Sequence, residues 1–150
     1  MIKQLDIPPV WLAIAMAIVA TIARFDPDDL SIQHPVTDLI AGLCIGAGLI
    51  LIILALIEMR KHKTTFMPHG QPEALVQNGI FQRSRNPIYL GDTLVLLGIT
   101  LRFDAVVAMP IVPLFALFIE KRFILKEEAR LRRKFRAAYA AYCNKVRRWL

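Results

Sequence analysis

Leu39-Ile40-Ala41-Gly42-Leu43-Cys44-Ile45-Gly46-Ala47-Gly48-Leu49-Ile50-Leu51-Ile52-Ile53-Leu54-Ala55-Leu56-Ile57 carries no charge. Wound as an α-helix at about 1.5 Å per residue it is about 28 Å long, close to the roughly 30 Å hydrocarbon core of a bilayer. This stretch reads as a membrane span. Gly42, Gly46 and Gly48 lie within it, and small residues let helices approach closely in a membrane.

Working outward, residues 26–38 form a polar connection with Asp26, Asp28, Asp29 and Asp38 and with Pro27 and Pro35. Before it, Ile7–Phe25 is a second apolar block, uncharged between Pro9 and Arg24. A weak positive start and a following Arg-Phe-Asp-Pro-Asp-Asp favour a span over a secretory signal. After the central span, Glu58–Asn86 is polar and basic, with Arg60, Lys61, Lys63, Arg83 and Arg85 and the breakers Pro68, Gly70, Pro72 and Gly79. Long connections of this kind are often functional. Ile88–Leu101 and Ala105–Ile119 are shorter apolar blocks, expected to form a tight helical hairpin turning at 102–104. Asp92, Pro110 and Pro113 within them would be costly facing lipid and are tolerated where they face a bundle interior or a cavity. From Lys121 onward, Leu131, Phe135, Ala138, Tyr142, Val146 and Trp149 recur at helical spacing, which predicts an amphipathic helix.

The totals agree. Of 150 residues, 56% are hydrophobic and the mean hydropathy is +0.48, which excludes a disordered chain and argues against an ordinary soluble domain. From Glu120 to Leu150 eleven Lys/Arg face three Glu, a net +8, while the remainder carries a net −1. Such a tail suits anionic membrane lipids as partners, and no motif points to nucleic acid. Cys44 and Cys143 form no ligand spacing, and His34, His62 and His69 are scattered, so no metal site is expected. The basic loop and tail place both termini on the cytoplasmic side, in a prokaryotic inner membrane. The expected fold is all-α, a single domain over 1–150. It has four transmembrane helices at about 7–25, 39–57, 88–101 and 105–119, the last two a hairpin, and a cytoplasmic amphipathic C-terminal helix.

Several residues could carry chemistry. Arg83-Ser84-Arg85-Asn86-Pro87-Ile88-Tyr89-Leu90-Gly91 is a polar loop running into a membrane helix. Pro87 suits the first helical turn, whose free N–H groups can hold an anionic group. Equally, Arg83 and Arg85 can be interface anchors and Tyr89 an interfacial aromatic. Glu127-Glu128, preceded by Glu120, Lys121 and Arg122, is an acidic pair in a basic tail. It can bind a cationic ligand or pair with Lys121, Arg130 or Arg132. Gly46-Ala47-Gly48 and the aromatic stripe from Phe135 to Trp149 both have packing readings.

Order and spacing of these elements resemble the membrane methyltransferases of the isoprenylcysteine carboxyl methyltransferase and phospholipid methyltransferase superfamily. The likeness covers Lys63-Thr64-Thr65 with Pro68, Leu75-Val76 with Gly79 and Phe81, and Arg85-Asn86-Pro87-Ile88-Tyr89-Leu90-Gly91. It continues in Glu127-Glu128-x-x-Leu131, Phe135, Tyr139, Tyr142 and Val146-x-Arg148. Gly46-Ala47-Gly48 also looks like the GxG of phosphatidylethanolamine N-methyltransferases. The resemblance implies S-adenosylmethionine as cofactor, in a cytoplasmic region formed by about 63–91 and 120–150. It implies cofactor contacts from Arg85, Asn86, Pro87, Tyr89, Leu90, Glu127 and Glu128, and catalytic roles for Arg122, Asn86 and Tyr89. The acceptor would be a lipophilic or small molecule. A carboxylate is favoured because it needs no base, and an amine is possible. Adjacent helical positions point about 100° apart, so Glu127 and Glu128 are expected to have different partners. Two departures stand out: Asn86 replaces the histidine of the prenylcysteine enzymes, and Arg136 stands where a glycine often follows the Phe135 position. A non-catalytic membrane protein and a nicotinamide-using membrane reductase are the competing readings.

Overall fold

The structure is a computed structural model that describes residues 6–25, 31–63 and 74–150. Asp26, Pro27, Asp28 and Asp29 of the first connection lie outside the described residues. So do Thr64, Thr65, Pro68, His69, Gly70 and Pro72 of the basic loop. The described residues are helical and turn structure without strands: α1 (Pro8–Ala23), α2 (Pro35–Lys61), α3 (Pro87–Arg102), α4 (Ile111–Ile119) and α5 (Leu125–Lys145). Short 3₁₀ turns occupy Gly79–Gln82 and Val106–Ala108, and a π-helical turn, Glu120–Ile124, joins α4 to α5 without a break.

Proline opens α1, α2 and α3, where its missing N–H leaves no hydrogen bond unmade. Among the described residues α2 is the one helix long and apolar enough to cross a membrane, with 27 residues and a mean hydropathy of 2.9 in its best window. It overruns the expected 39–57 span at both ends. The helices α1, α3 and α4 form at the other three expected sites. At 16, 16 and 9 residues, each is shorter than the roughly 20 that a straight span requires.

α2 and α3 are antiparallel and their backbones touch. A Cβ on Gly48 would lie 2.6 Å from the Gly91 carbonyl oxygen, and one on Gly98 would lie 2.6 Å from that of Ala41. Nothing lies within 4 Å of the Cβ positions of Gly42 and Gly46. Gly48 is therefore a packing glycine. The other face of α3 presents Tyr89 and Leu96 to Ala15 and Val19 of α1 and to Phe115 and Ile119 of α4. Much of α2 stays uncovered, with Leu39, Leu43 and Ile50 exposed, as suits a lipid-facing surface.

The hairpin is looser than the tight 102–104 turn expected. α3 ends at Arg102, Asp104 takes a positive φ of 54°, and α4 starts only at Ile111. A helix begun at Ala105 would lose the bonds that Pro110 and Pro113 cannot donate, so both prolines hold its start back.

The C-terminal stripe also differs from expectation. Inside α5, Arg136 has φ 41° and ψ −112°, which breaks the helix. Tyr139, Tyr142 and Val146 beyond the break pack with Leu75, Leu131 and Phe135, while Ala138 is exposed. The six residues thus do not form one straight face.

The polar ends of the bundle separate cleanly. Ile32 N donates to Asp104 Oδ1 at 2.8 Å, Ser31 Oγ donates to Asp104 Oδ2, and Arg102 sits 3.7 Å from Asp38, all at one end. Asp6, the loop 75–86 and the tail meet at the other.

Candidate functional site

Residues 74–86 fold back on the end of α2, where Val76 and Phe81 bury against Ala55. The Tyr142 hydroxyl donates to the Phe81 carbonyl at 2.7 Å, and Arg85 N donates to the Arg147 carbonyl at 3.1 Å. Loop and tail thereby hold each other over the start of α3.

Charged side chains gather there. Glu128, 8% exposed, accepts from Arg85 Nη2 at 3.1 Å, from Arg148 Nε at 3.0 Å and from Arg148 Nη2 at 2.9 Å. Arg148 Nη1 reaches Glu120 Oε1 at 2.7 Å, and Trp149 Nε1 donates to Glu120 Oε2 at 2.9 Å. Two guanidiniums and two carboxylates thus interlock, and the hydrogen bonds to Glu128 hold Arg148 even more firmly protonated than an ordinary arginine. Arg85 Nε remains buried without a hydrogen-bond partner.

Glu127 takes a different direction, as neighbours about 100° apart on a helix must. It accepts from the Tyr89 hydroxyl at 2.6 Å. Burial pushes the Glu127 carboxyl up to about 7, against the opposing hydrogen bond from Tyr89 and the charge of Arg130. Burial likewise raises the Tyr139 and Tyr142 phenols above their usual range, so both stay neutral donors.

Asn86 precedes α3 without capping it through its side chain. Its Nδ2 donates instead to the Arg148 carbonyl at 3.1 Å, beside Ser84 Oγ, which donates to the same oxygen at 3.3 Å. The first turn of α3, beginning at buried Pro87, is left without a side-chain cap. Leu90 is half-buried in that turn. The loop and acidic-pair residues named from sequence are thus brought together, with Arg85 on Glu128 and Tyr89 on Glu127.

Arg122 is placed otherwise. It lies in the π-helical turn and forks onto Asp6, with Nε–Oδ1 at 3.2 Å and Nη2–Oδ2 at 2.9 Å. The same Asp6 accepts from Trp11 Nε1 at 3.0 Å. Arg122 borders a cleft of about 380 Å³ together with Asp6, Phe123, Lys126, Arg130 and Arg133.

No functional-site role is legible in the sequence for Arg148, Glu120, Trp149, Ser84 or Asp6. Arg148 was visible within the tail pattern, but nothing in the sequence marks it as the partner of Glu128.

The model of the phospholipid methyltransferase family matches residues 36–138, from the start of α2 to just past the break in α5. The chain belongs to that family. Comparison with curated proteins and with solved structures gave no match. The matched region ends ten residues before Arg148, so of the residues that meet at Glu128 Arg85 lies inside it and Arg148 beyond it.

Proposed function

We propose that this chain transfers a methyl group from S-adenosylmethionine to a lipophilic or small acceptor at the cytoplasmic face of a membrane. The observation that carries this reading is the convergence of Arg85, Asn86, Tyr89, Glu127 and Glu128 at the uncapped start of α3. When bound, the cofactor supplies an electrophilic methyl group on a cationic sulfonium, which the lone pair of the acceptor displaces directly.

The donor set fits such a cofactor. The orphaned Arg85 Nε and the first-turn N–H groups of α3 are donors for a carboxylate. Glu127 supplies a hydrogen-bond acceptor whose charge develops near neutral pH, Glu128 fixes Arg85 and Arg148 beside it, and Tyr89 and Leu90 supply an apolar wall. Pro87 fixes the start of the helix that carries them. Asn86 and Tyr89 orient the reacting groups. Positioning and exclusion of water are the sources of rate in such a site. Lys/Arg sidedness supports cytoplasmic termini, since Asp6, the basic loop and the tail share one end of the bundle and only Arg24 and Arg102 mark the other among the described residues.

A carboxylate acceptor needs no base. An amine acceptor is the second reading, and one observation favours it. Asp92, 5% exposed and one turn along α3 from Tyr89, has a carboxylate oxygen without a hydrogen-bond partner. A buried carboxylate in that position suits receipt of a proton from an ammonium group. Methyl-labelled S-adenosylmethionine, incubated with the purified protein and lipid acceptors of both classes, tests the proposal. Label is expected in lipid with wild type, with Asp92→Asn abolishing transfer to amines alone. Absence of label from every acceptor class would overturn it.

A further inference from the structure

The cleft beside Arg122 is strongly cationic. Arg122, Lys126, Arg130 and Arg133 line it at successive turns of the π-helical segment and α5, against Asp6, the single carboxylate in its lining among the described residues. That carboxylate is already held by Arg122 and by the Trp11 indole. A zwitterionic headgroup would find no open counter-charge for its ammonium there, and a cofactor with a sulfonium and an amino group would be repelled.

The cleft also sits at a boundary. One helical turn earlier in the chain, the outward side chains are apolar, with Leu114 61% and Leu117 54% exposed on α4. Past Glu120 the outward side chains become Lys121, Arg122 and Lys126, with Leu125 the one exposed apolar residue among them. Trp11 and Phe118, with ring centroids 4.7 Å apart, tie the start of α1 to the end of α4 at this level. Bundle surfaces that change from leucine to arginine over one turn lie at headgroup depth, and basic pockets there suit anionic headgroups.

We infer that this cleft binds the phosphodiester of an anionic phospholipid, with the acyl chains running along the exposed leucines of α4. The cleft adjoins the proposed methyl-transfer site through Arg130, whose charge reaches Glu127, and its test does not require activity. Calorimetry of the detergent-purified chain with short-chain phosphatidylglycerol, short-chain phosphatidylcholine and inorganic phosphate gives the readout. Phosphatidylglycerol is expected to bind at least about tenfold more tightly than phosphatidylcholine, since each cation near such a headgroup contributes a substantial share of the attraction. Lys126→Glu/Arg133→Glu, two exposed positions, is expected to lose that preference while melting as wild type does without lipid. Should charge reversal impair folding, Lys126→Gln/Arg133→Gln is expected to weaken phosphatidylglycerol binding in the same direction. Equal binding of the two lipids, unchanged preference in the folded variant, or inorganic phosphate competing on equal terms with the lipid would overturn the inference.

Discussion

Arg148 grips Glu128 through two nitrogens, Nε on Oε1 at 3.0 Å and Nη2 on Oε2 at 2.9 Å, across the helix break at Arg136. This fork, shared with Arg85, closes the tail over the start of α3. Glu128→Gln would leave two guanidiniums facing a neutral amide in a largely buried cluster. Breaking such a pair costs about 2–4 kcal/mol, at the lower end here because Arg148 is a third exposed. The melting temperature is expected to drop by roughly 4–8 °C for a domain of this size. Arg148→Lys is not expected to rescue it, since an ammonium cannot form the fork. A Glu128→Gln protein that melts as wild type does would show the cluster to be ornamental.

Glu127 gives a pH signature. Its folded carboxyl is pushed up to about 7 from an ordinary 4.5. Between those values the native state holds a proton that the unfolded chain has lost, so the contribution of Glu127 to stability falls as pH rises through that window. Denaturation of wild type and Glu127→Gln from pH 4 to 8.5 checks this. The variant is expected to gain stability relative to wild type as pH increases, with the difference levelling off above about 7.5. A constant difference across the range would refute the burial of this carboxyl.

Arg136 is the strained position. Its φ of 41° with ψ −112° lies where glycine is at ease and a side chain is not. Strain of this kind costs about 1–3 kcal/mol. Arg136→Gly is therefore expected to raise the melting temperature, even though glycine lowers stability in ordinary helix interiors. Arg136→Ala is expected to bring little of that gain. A destabilised glycine variant would mean that α5 is continuous there.

Gly48 and Gly46 make a matched pair. An added methyl at Gly48 collides with the Gly91 carbonyl and Val95, whereas one at Gly46 meets open space. Gly48→Ala is expected to cost about 1–3 kcal/mol by forcing α2 from α3, and Gly46→Ala to hold or slightly raise the melting temperature, since alanine is the better helix former. Equal effects would deny the backbone contact.

Much of this architecture was legible because single-residue chemistry announced it. The uncharged run 39–57 marks α2, Pro87 marks the start of α3, and Glu127-Glu128 stands out in a tail of cations. Helical geometry alone separates the directions of the two glutamates. What stayed hidden depends on backbone conformations that residue periodicity does not encode. The stripe from Leu131 to Trp149 assumes a straight helix, and the break at Arg136 redirects its second half onto Leu75 and Phe135. The same break delivers Arg148 to Glu128 across 20 residues. Arg122 reads as a neighbour of the acidic pair in sequence, yet the π-helical turn presents it to Asp6. The glycine absent at position 136 was the one local hint that the chain turns there.

The central claim is that the loop–tail contact over α3 holds S-adenosylmethionine. Calorimetry of the detergent-purified full chain with S-adenosylmethionine, its demethylated product and NADPH addresses it directly. Saturable binding of the first two and none of NADPH is predicted, with Tyr89→Phe and Glu127→Gln each weakening cofactor affinity by roughly tenfold or more, equivalent to about 1.4 kcal/mol. Absence of S-adenosylmethionine binding in a folded wild-type protein, or binding of NADPH in its place, would contradict the account.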